Sequence, residues 1–150
     1  MNEISIKDAY ELPKSFEIFD SLNDSKIFSY VDLFSRYHQI PMWADDIEKT
    51  FFTTKFGNYY FKVIPFGLTN TPATFQREMN RIFFDLINDC VQIYVDDIII
   101  NSYCFENHLI HLSKVFNISI KYNLKLNIKK CHFCQTEIVA LGHKVTTSFK

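Results

Sequence analysis

The run Gln92-Ile93-Tyr94-Val95-Asp96-Asp97-Ile98-Ile99-Ile100 sets two adjacent carboxylates in the middle of an apolar, β-branched stretch. Such a stretch predicts a buried hairpin or strand, because branched side chains pack well on a pleated surface. Two neighbouring anions repel each other there, and at least one is driven to take up a proton unless a cation neutralises the pair. A divalent metal is the simplest remedy. Carboxylate oxygens suit magnesium or manganese rather than zinc, and magnesium usually keeps waters and substrate phosphates in its shell. The stretch therefore points to a metal-dependent phosphoryl-transfer site at the turn of a β-hairpin. The plainer alternative is an exposed Asp-Asp turn joining two ordinary strands.

Upstream, residues 26–34 alternate, with Phe28, Tyr30, Asp32 and Phe34 on one side and Ser29, Val31 and Leu33 on the other, which predicts a strand. Asp32 is a second acid in an apolar setting, an odd position unless it is paired or holds a metal. Residues 50–64 form two β-rich runs around Phe56-Gly57-Asn58 and predict a hairpin. Thr71 as N-cap and Pro72 at the first helical position then open a helix. Its Phe75, Met79, Ile82, Phe83 and Leu86 share one face, with Gln76, Arg77 and Asn80 off it. An earlier helix is expected at about 15–22, capped by Ser15. A later one is expected at about 106–122 with Leu109, Leu112, Phe116 and Ile120 inward. Residues 124–128 and 138–141 read as strands, with Gly142-His143 leading to Lys144-Val145. Without the 50–64 excursion, the order is that of an α+β fold: a split βαβ arrangement, its antiparallel sheet carrying helices on one face.

A chain of 150 residues with 17% aromatic content, including 16 Phe, can bury a sizeable core and is expected to be one domain. Its net charge of −1 argues against a strongly basic nucleic-acid binder, yet charge is unevenly spread. Residues 1–60 hold 6 Lys+Arg against 10 Asp+Glu, and residues 121–150 hold 6 against 1, so the last segment is either a basic phosphate-contacting surface or a solvated charged face. Cys90, Cys104, Cys131 and Cys134 lie in a chain without a signal-peptide pattern, which favours reduced thiols and an intracellular setting. No apolar run approaches the roughly 18–20 residues of a membrane span, so no membrane partner is expected.

Seven segments, in order, resemble the reverse transcriptase domain of gypsy-type long-terminal-repeat retrotransposons. They are Phe28-Ser29-Tyr30-Val31-Asp32-Leu33, Tyr37-His38-Gln39-Ile40, Lys49-Thr50, Pro65-Phe66-Gly67-Leu68-Thr69-Asn70, Pro72-Ala73-Thr74-Phe75-Gln76, Tyr94-Val95-Asp96-Asp97-Ile98 and Leu141-Gly142-His143. A Tyr-x-Asp-Asp tetrapeptide alone is weak; seven ordered blocks across nearly the whole chain are not. The resemblance implies a polymerase palm, with an RRM-like sheet, and a partial fingers insertion. The palm would be about 16–40 and 71–150, and the fingers remnant about 1–15 and 41–70.

The same resemblance implies an RNA-directed DNA polymerase, a nucleotidyltransferase that adds dNTPs to a primer 3′-hydroxyl on an RNA or DNA template. Asp32, Asp96 and Asp97 become a catalytic triad holding two Mg²⁺ or Mn²⁺ ions, with Asp32 and Asp96 the principal direct ligands. Leu33, Arg36, Tyr37, Phe66 and Gly67 fall at the dNTP site, where the Tyr37 ring would leave no room for a 2′-hydroxyl. Tyr94, Leu141, Gly142 and His143 fall near template and primer. Gln76 and Arg77 are either template contacts or a solvated helix face. Expected partners are the template-primer, dNTPs and the thumb, ribonuclease H, integrase and protease domains of a Pol polyprotein. The expected location is the cytoplasm, in a retroelement particle, rather than the nucleus.

Arg36 stands where the family usually has Gly, Glu11 where it has Pro and Phe51 where it has Ala. Upstream basic fingers strands, a thumb and ribonuclease H have no counterpart in these 150 residues, which therefore read as a piece of a larger polyprotein or a decayed copy. Two rivals follow. One is a catalytically inert retroelement fragment serving as a binding or assembly module. The other is a structural zinc site written from His108, His111, Cys131 and Cys134.

Overall fold

A computed structural model describes residues 7–146. In chain order its elements are α1 (Ser15–Leu22), β1 (Ile27–Asp32), α2 (Ala44–Ile47), β2 (Phe52–Thr54), β3 (Gly57–Tyr59), α3 (Thr71–Ile82), β4 (Val91–Tyr94), β5 (Asp97–Ser102), α4 (Phe105–Lys121), β6 (His132–Gln135), β7 (Glu137–Ala140) and β8 (His143–Thr146). The main sheet runs β4-β5-β1-β6, and every pairing in it is antiparallel. Two-stranded ribbons, β2-β3 and β7-β8, stand beside it. This is the α+β, palm-like class that the element order predicts.

The alternation of β1 and β5 is used on both faces. Val31, Ile98 and Ile100 join Phe75, Met79 and Phe83 of the α3 segment and Leu112 and Val115 of α4 in one core. Phe28 and Ile99 point the other way, into a second core with Ile18 and Leu22 of α1 and Ile138 and Ala140 of β7. The two longest helices therefore share one face, while α1 and the β7-β8 ribbon cover part of the opposite one. Phe75, Met79 and Phe83 are fully buried, each contributing about 1.5–3 kcal/mol from burial.

Several boundaries differ from those read in the sequence. The fourth strand is β6, not residues 124–128; that segment makes a single bridge, Leu33 to Leu126, before a 3₁₀ turn. Its backbone is still occupied, because Phe34 N–H donates to Lys125 O and Asn127 N–H donates to Asp32 O. The fingers-like hairpin is shorter than residues 50–64, pairing only Phe52–Thr54 with Gly57–Tyr59, and both strands are exposed throughout. Asn70, not Thr71, flanks α3, and Pro72 is its second residue. Thr71 instead donates its hydroxyl to Pro65 O, and Asn70 Oδ1 accepts from Asp8 N–H. Ser15 is the first helical residue of α1 rather than its cap; Lys14 precedes it and donates its N–H to Glu17.

The buried stripe of α4 is His108, Leu112, Val115 and Ser119, leaving Leu109 and Ile120 exposed against expectation. A histidine can enter the core here because both ring nitrogens find partners. Nε2 is hydrogen-bonded to Ser29 Oγ at 2.7 Å and Nδ1 to Ser102 Oγ at 2.8 Å. Among the described residues no helix is long and apolar enough to cross a membrane.

Candidate active site

Strand register brings the three acids together. Asp32 ends β1 directly opposite Asp97, the first residue of β5, and Asp97 is in turn opposite Tyr94 at the end of β4. Val95 and Asp96 form the two-residue turn between β4 and β5. The plainer reading of this stretch as an exposed turn is wrong: Asp32 is 4% exposed and Asp96 and Asp97 are half-buried.

Each acid has a different neighbour. Arg36, one turn past β1, places Nη2 2.7 Å from Asp96 Oδ2 and 3.8 Å from Asp32 Oδ2. Asp97 Oδ1 accepts a short 2.5 Å hydrogen bond from the Tyr30 hydroxyl. Burial pushes the Asp96 carboxyl above the usual carboxylate range; Arg36 opposes that shift, while Asp97 and Asp32 add to it. Burial and the bond to Asp97 likewise hold the Tyr30 phenol up, so it stays a donor. The donor set, carboxylate oxygens only, fits a hard divalent cation such as Mg²⁺ or Mn²⁺. Among the described residues the three carboxylates do not bring one oxygen each within 4.8 Å of one another. Tyr30 is hydrogen-bonded to Asp97, and the Arg36 guanidinium contacts the other two.

The turn is strained and supported. Val95 has φ +52°, a left-handed conformation that a β-branched residue rarely adopts. Gln76 of α3 holds it: Val95 N–H donates to Gln76 Oε1 at 2.5 Å, and Gln76 Nε2 donates to Ile93 O at 3.1 Å and to Asn80 Oδ1 at 2.9 Å. The expected surface position of Gln76 is therefore corrected. Its side chain is fully buried, because the sheet's turn offers a backbone donor and acceptor that need a partner. Arg77 stays at the surface, where it pairs with Asp8 at 2.5 Å and lies over the Tyr10 ring.

An open cleft of about 500 Å³ is lined by Ser15, Tyr37, Pro72, Tyr94, Val95, Asp96, Asp97, Leu141 and His143. Tyr37 stands edge-on to Phe66 and Phe75, with centroids 5.1 and 5.2 Å away. Burial, then the Asp96 charge, raise its phenol. Phe66 is exposed, and Gly67 takes φ +89° with no atom within 4 Å of a Cβ built there; its conformation, not crowding, calls for glycine. Leu33 turns its side chain into the core, so only its backbone can face the cleft. Leu141 (φ +51°) and Gly142 (φ +76°) form the two-residue turn of the β7-β8 ribbon, and the His143 ring is edge-on to Phe19. Tyr30 joins the site through its bond to Asp97, and the only sequence signal for it is the strand side it shares with Asp32.

The proposed His108, His111, Cys131 and Cys134 zinc set does not converge. The ring of His108 is committed to Ser29 and Ser102, and the Cys131 thiol donates toward Asn127 O at 3.3 Å. Among the described residues a different trio, Asp89, Cys90 and His111, brings ligand atoms within 4.8 Å. Burial pushes the Cys90 thiol up to about 11, which disfavours the thiolate a metal needs.

The chain is 44% identical over 146 residues to the retrovirus-related Pol polyprotein from transposon 297 of Drosophila melanogaster, covering 97% of this chain and 14% of that protein. It is 34% identical over 145 residues to the enzymatic polyprotein of Cauliflower mosaic virus, covering 97% of this chain and 21% of the relative. The chain thus spans a small part of the curated proteins it matches. Among solved structures, the foamy viral protease-reverse transcriptase in complex with RNA/DNA hybrid superposes with a TM-score of 0.88 at 25% identity, over 98% of this chain and 20% of that one. Its complex with double-stranded DNA gives the same score over 98% of this chain and 26% of that one. Reverse transcriptases as a family use divalent metal ions. Residues 2–145 match the family described as reverse transcriptase (RNA-dependent DNA polymerase), and the chain belongs to that family.

Proposed function

We propose that this chain supplies the palm, about 16–40 and 71–150, and part of the fingers, about 1–15 and 41–70, of an RNA-directed DNA polymerase acting within a Pol polyprotein. The single observation that supports it most is the register that sets Asp32 against Asp97, with Asp96 at the adjoining turn and Tyr37 across the same cleft. When bound, two Mg²⁺ or Mn²⁺ ions would stabilise the attacking and leaving oxygens of an in-line displacement at the α-phosphate of a dNTP.

In this reading Asp32 and Asp96 are the principal metal ligands and Asp97 a supporting one, oriented by Tyr30. The Tyr37 ring, fixed between Phe66 and Phe75, lies against the sugar and excludes a 2′-hydroxyl by bulk. Phe66, Gly67 and the backbone of Leu33 border the nucleotide. Tyr94 and the Leu141-Gly142-His143 turn border the primer end, since they line or adjoin the cleft that holds Asp96. Partners would be a template-primer duplex, dNTPs and the remaining polyprotein domains.

The test is Mn²⁺ titration of the chain followed by NMR. Paramagnetic broadening should centre on the amides of Asp32, Asp96 and Asp97 and disappear in Asp96→Asn. Broadening elsewhere only, or none, would favour an inert binding module. The Arg36 contact to Asp96 is the one observation that favours that second reading.

A further inference from the structure

Arg36 reaches the two carboxylates that no other basic side chain approaches within 4.0 Å among the described ion pairs. Asp32 comes from the end of β1 and Asp96 from the β4-β5 turn, so a single cation must span two strands to serve both. The guanidinium does this from the bend that follows β1. Its aim depends on an uncommon backbone: Ser35 at φ +54° and Arg36 at φ +39° are consecutive left-handed residues, and neither is glycine. The acid side chains are 5% and 17% exposed, whereas that of Arg36 is 40% exposed. The anions are thus fixed in the fold while the cation remains open to solvent. A guanidinium cannot lose its proton in a protein, so its charge is permanent there.

We propose that Arg36 is an internal counter-cation that competes with divalent metal for Asp32 and Asp96, so that metal enters only as the guanidinium leaves. The inference rests on the reading of these acids as metal ligands. It explains how a buried acid at the end of β1 and a half-buried one in the β4-β5 turn are accommodated when metal is scarce, since one positive group offsets part of their repulsion. The 40% exposure of its side chain gives the guanidinium a route outward to solvent.

Electron paramagnetic resonance of free Mn²⁺ measures the competition directly, without catalysis. Arg36→Gly should bind Mn²⁺ about tenfold more tightly than the parent chain, the scale of one charge-assisted contact. Glycine suits the left-handed backbone, so this variant should fold, and Arg36→Ala provides a second check. Arg36→Lys should fall between parent and Arg36→Gly, because ammonium keeps the charge but loses the planar fork. Arg81→Gln, which removes a distant charge paired with Glu78, should leave Mn²⁺ affinity unchanged. Equal affinity in the parent and Arg36→Gly, or an equal gain from Arg81→Gln, would overturn the competition. If Asp96→Asn fails to weaken Mn²⁺ binding in the Arg36→Gly background, the carboxylate metal site itself is refuted.

Discussion

Gln76 shows how one side chain can be read correctly as helical and wrongly as exposed. Its spacing puts it off the Phe75-Met79-Phe83 stripe, but the β4-β5 turn lies against that flank of α3 and presents Val95 N–H and Ile93 O. Replacing it by Leu strands both groups, each at about 1–3 kcal/mol. Gln76→Leu should therefore lower unfolding free energy by about 2–4 kcal/mol in urea melts and speed amide exchange at Val95 in particular. Unchanged exchange at Val95 would mean the turn holds its strain without help. The alternation of β1 already places Tyr30 beside Asp32, but its bond to Asp97 depends on which strand becomes the neighbour, and spacing within one strand does not encode that.

At the level of elements, the α4 stripe moved because a network of hydroxyls can satisfy a buried imidazole. Ser29 Oγ also accepts from Cys134 N–H, so the His108 cluster ties β6, β1, β5 and α4 together. Burial, with His111 nearby, lowers the His108 pKa from 6.5 to about 4. The unfolded chain therefore binds more protons than the folded one between these values, and its stabilising contribution is complete above pH 6.5 and lost as pH falls toward 4. Going from pH 7 to pH 5, His108 should account for roughly 1–2 kcal/mol of lost stability, and His108→Gln should flatten that part of the profile in paired denaturant melts. The β7-β8 ribbon offers a backbone test. Gly142 has open space around it, so Gly142→Ala should cost about 1 kcal/mol through its φ of +76° alone, read as a lower melting temperature.

For the molecule as a whole, a net charge of −1 sets the expectation for nucleic acid. Arg36 pairs with Asp96 and Arg77 with Asp8, so these two guanidinium groups are already engaged. With these two charges engaged and a net charge of −1, counterion release, the main source of affinity for a duplex, should be small. Fluorescence anisotropy should show the chain binding an RNA/DNA hybrid with a Kd weaker than about 10⁻⁶ M at physiological salt. Primer extension by the chain alone should stay near background. Tight binding, or Mg²⁺-dependent extension abolished by Asp96→Asn, would show that these 150 residues suffice.

By itself, the sequence determined the alternation of β1, the amphipathic α3 and the presence of acids in apolar runs at Asp32, Asp96 and Asp97, because these follow from local periodicity; grouping the three acids took the seven ordered blocks of the family resemblance. The tertiary structure alone decided the β4-β5-β1-β6 order, the register that faces Asp32 with Asp97, the burial of Gln76 and His108, and the contact of Arg36 with two acids. The physical reason is long-range contact. Strand order and register, and polar contacts such as Gln76 with Val95, His108 with Ser29 and Arg36 with Asp96, join segments distant in sequence, where no local pattern records them.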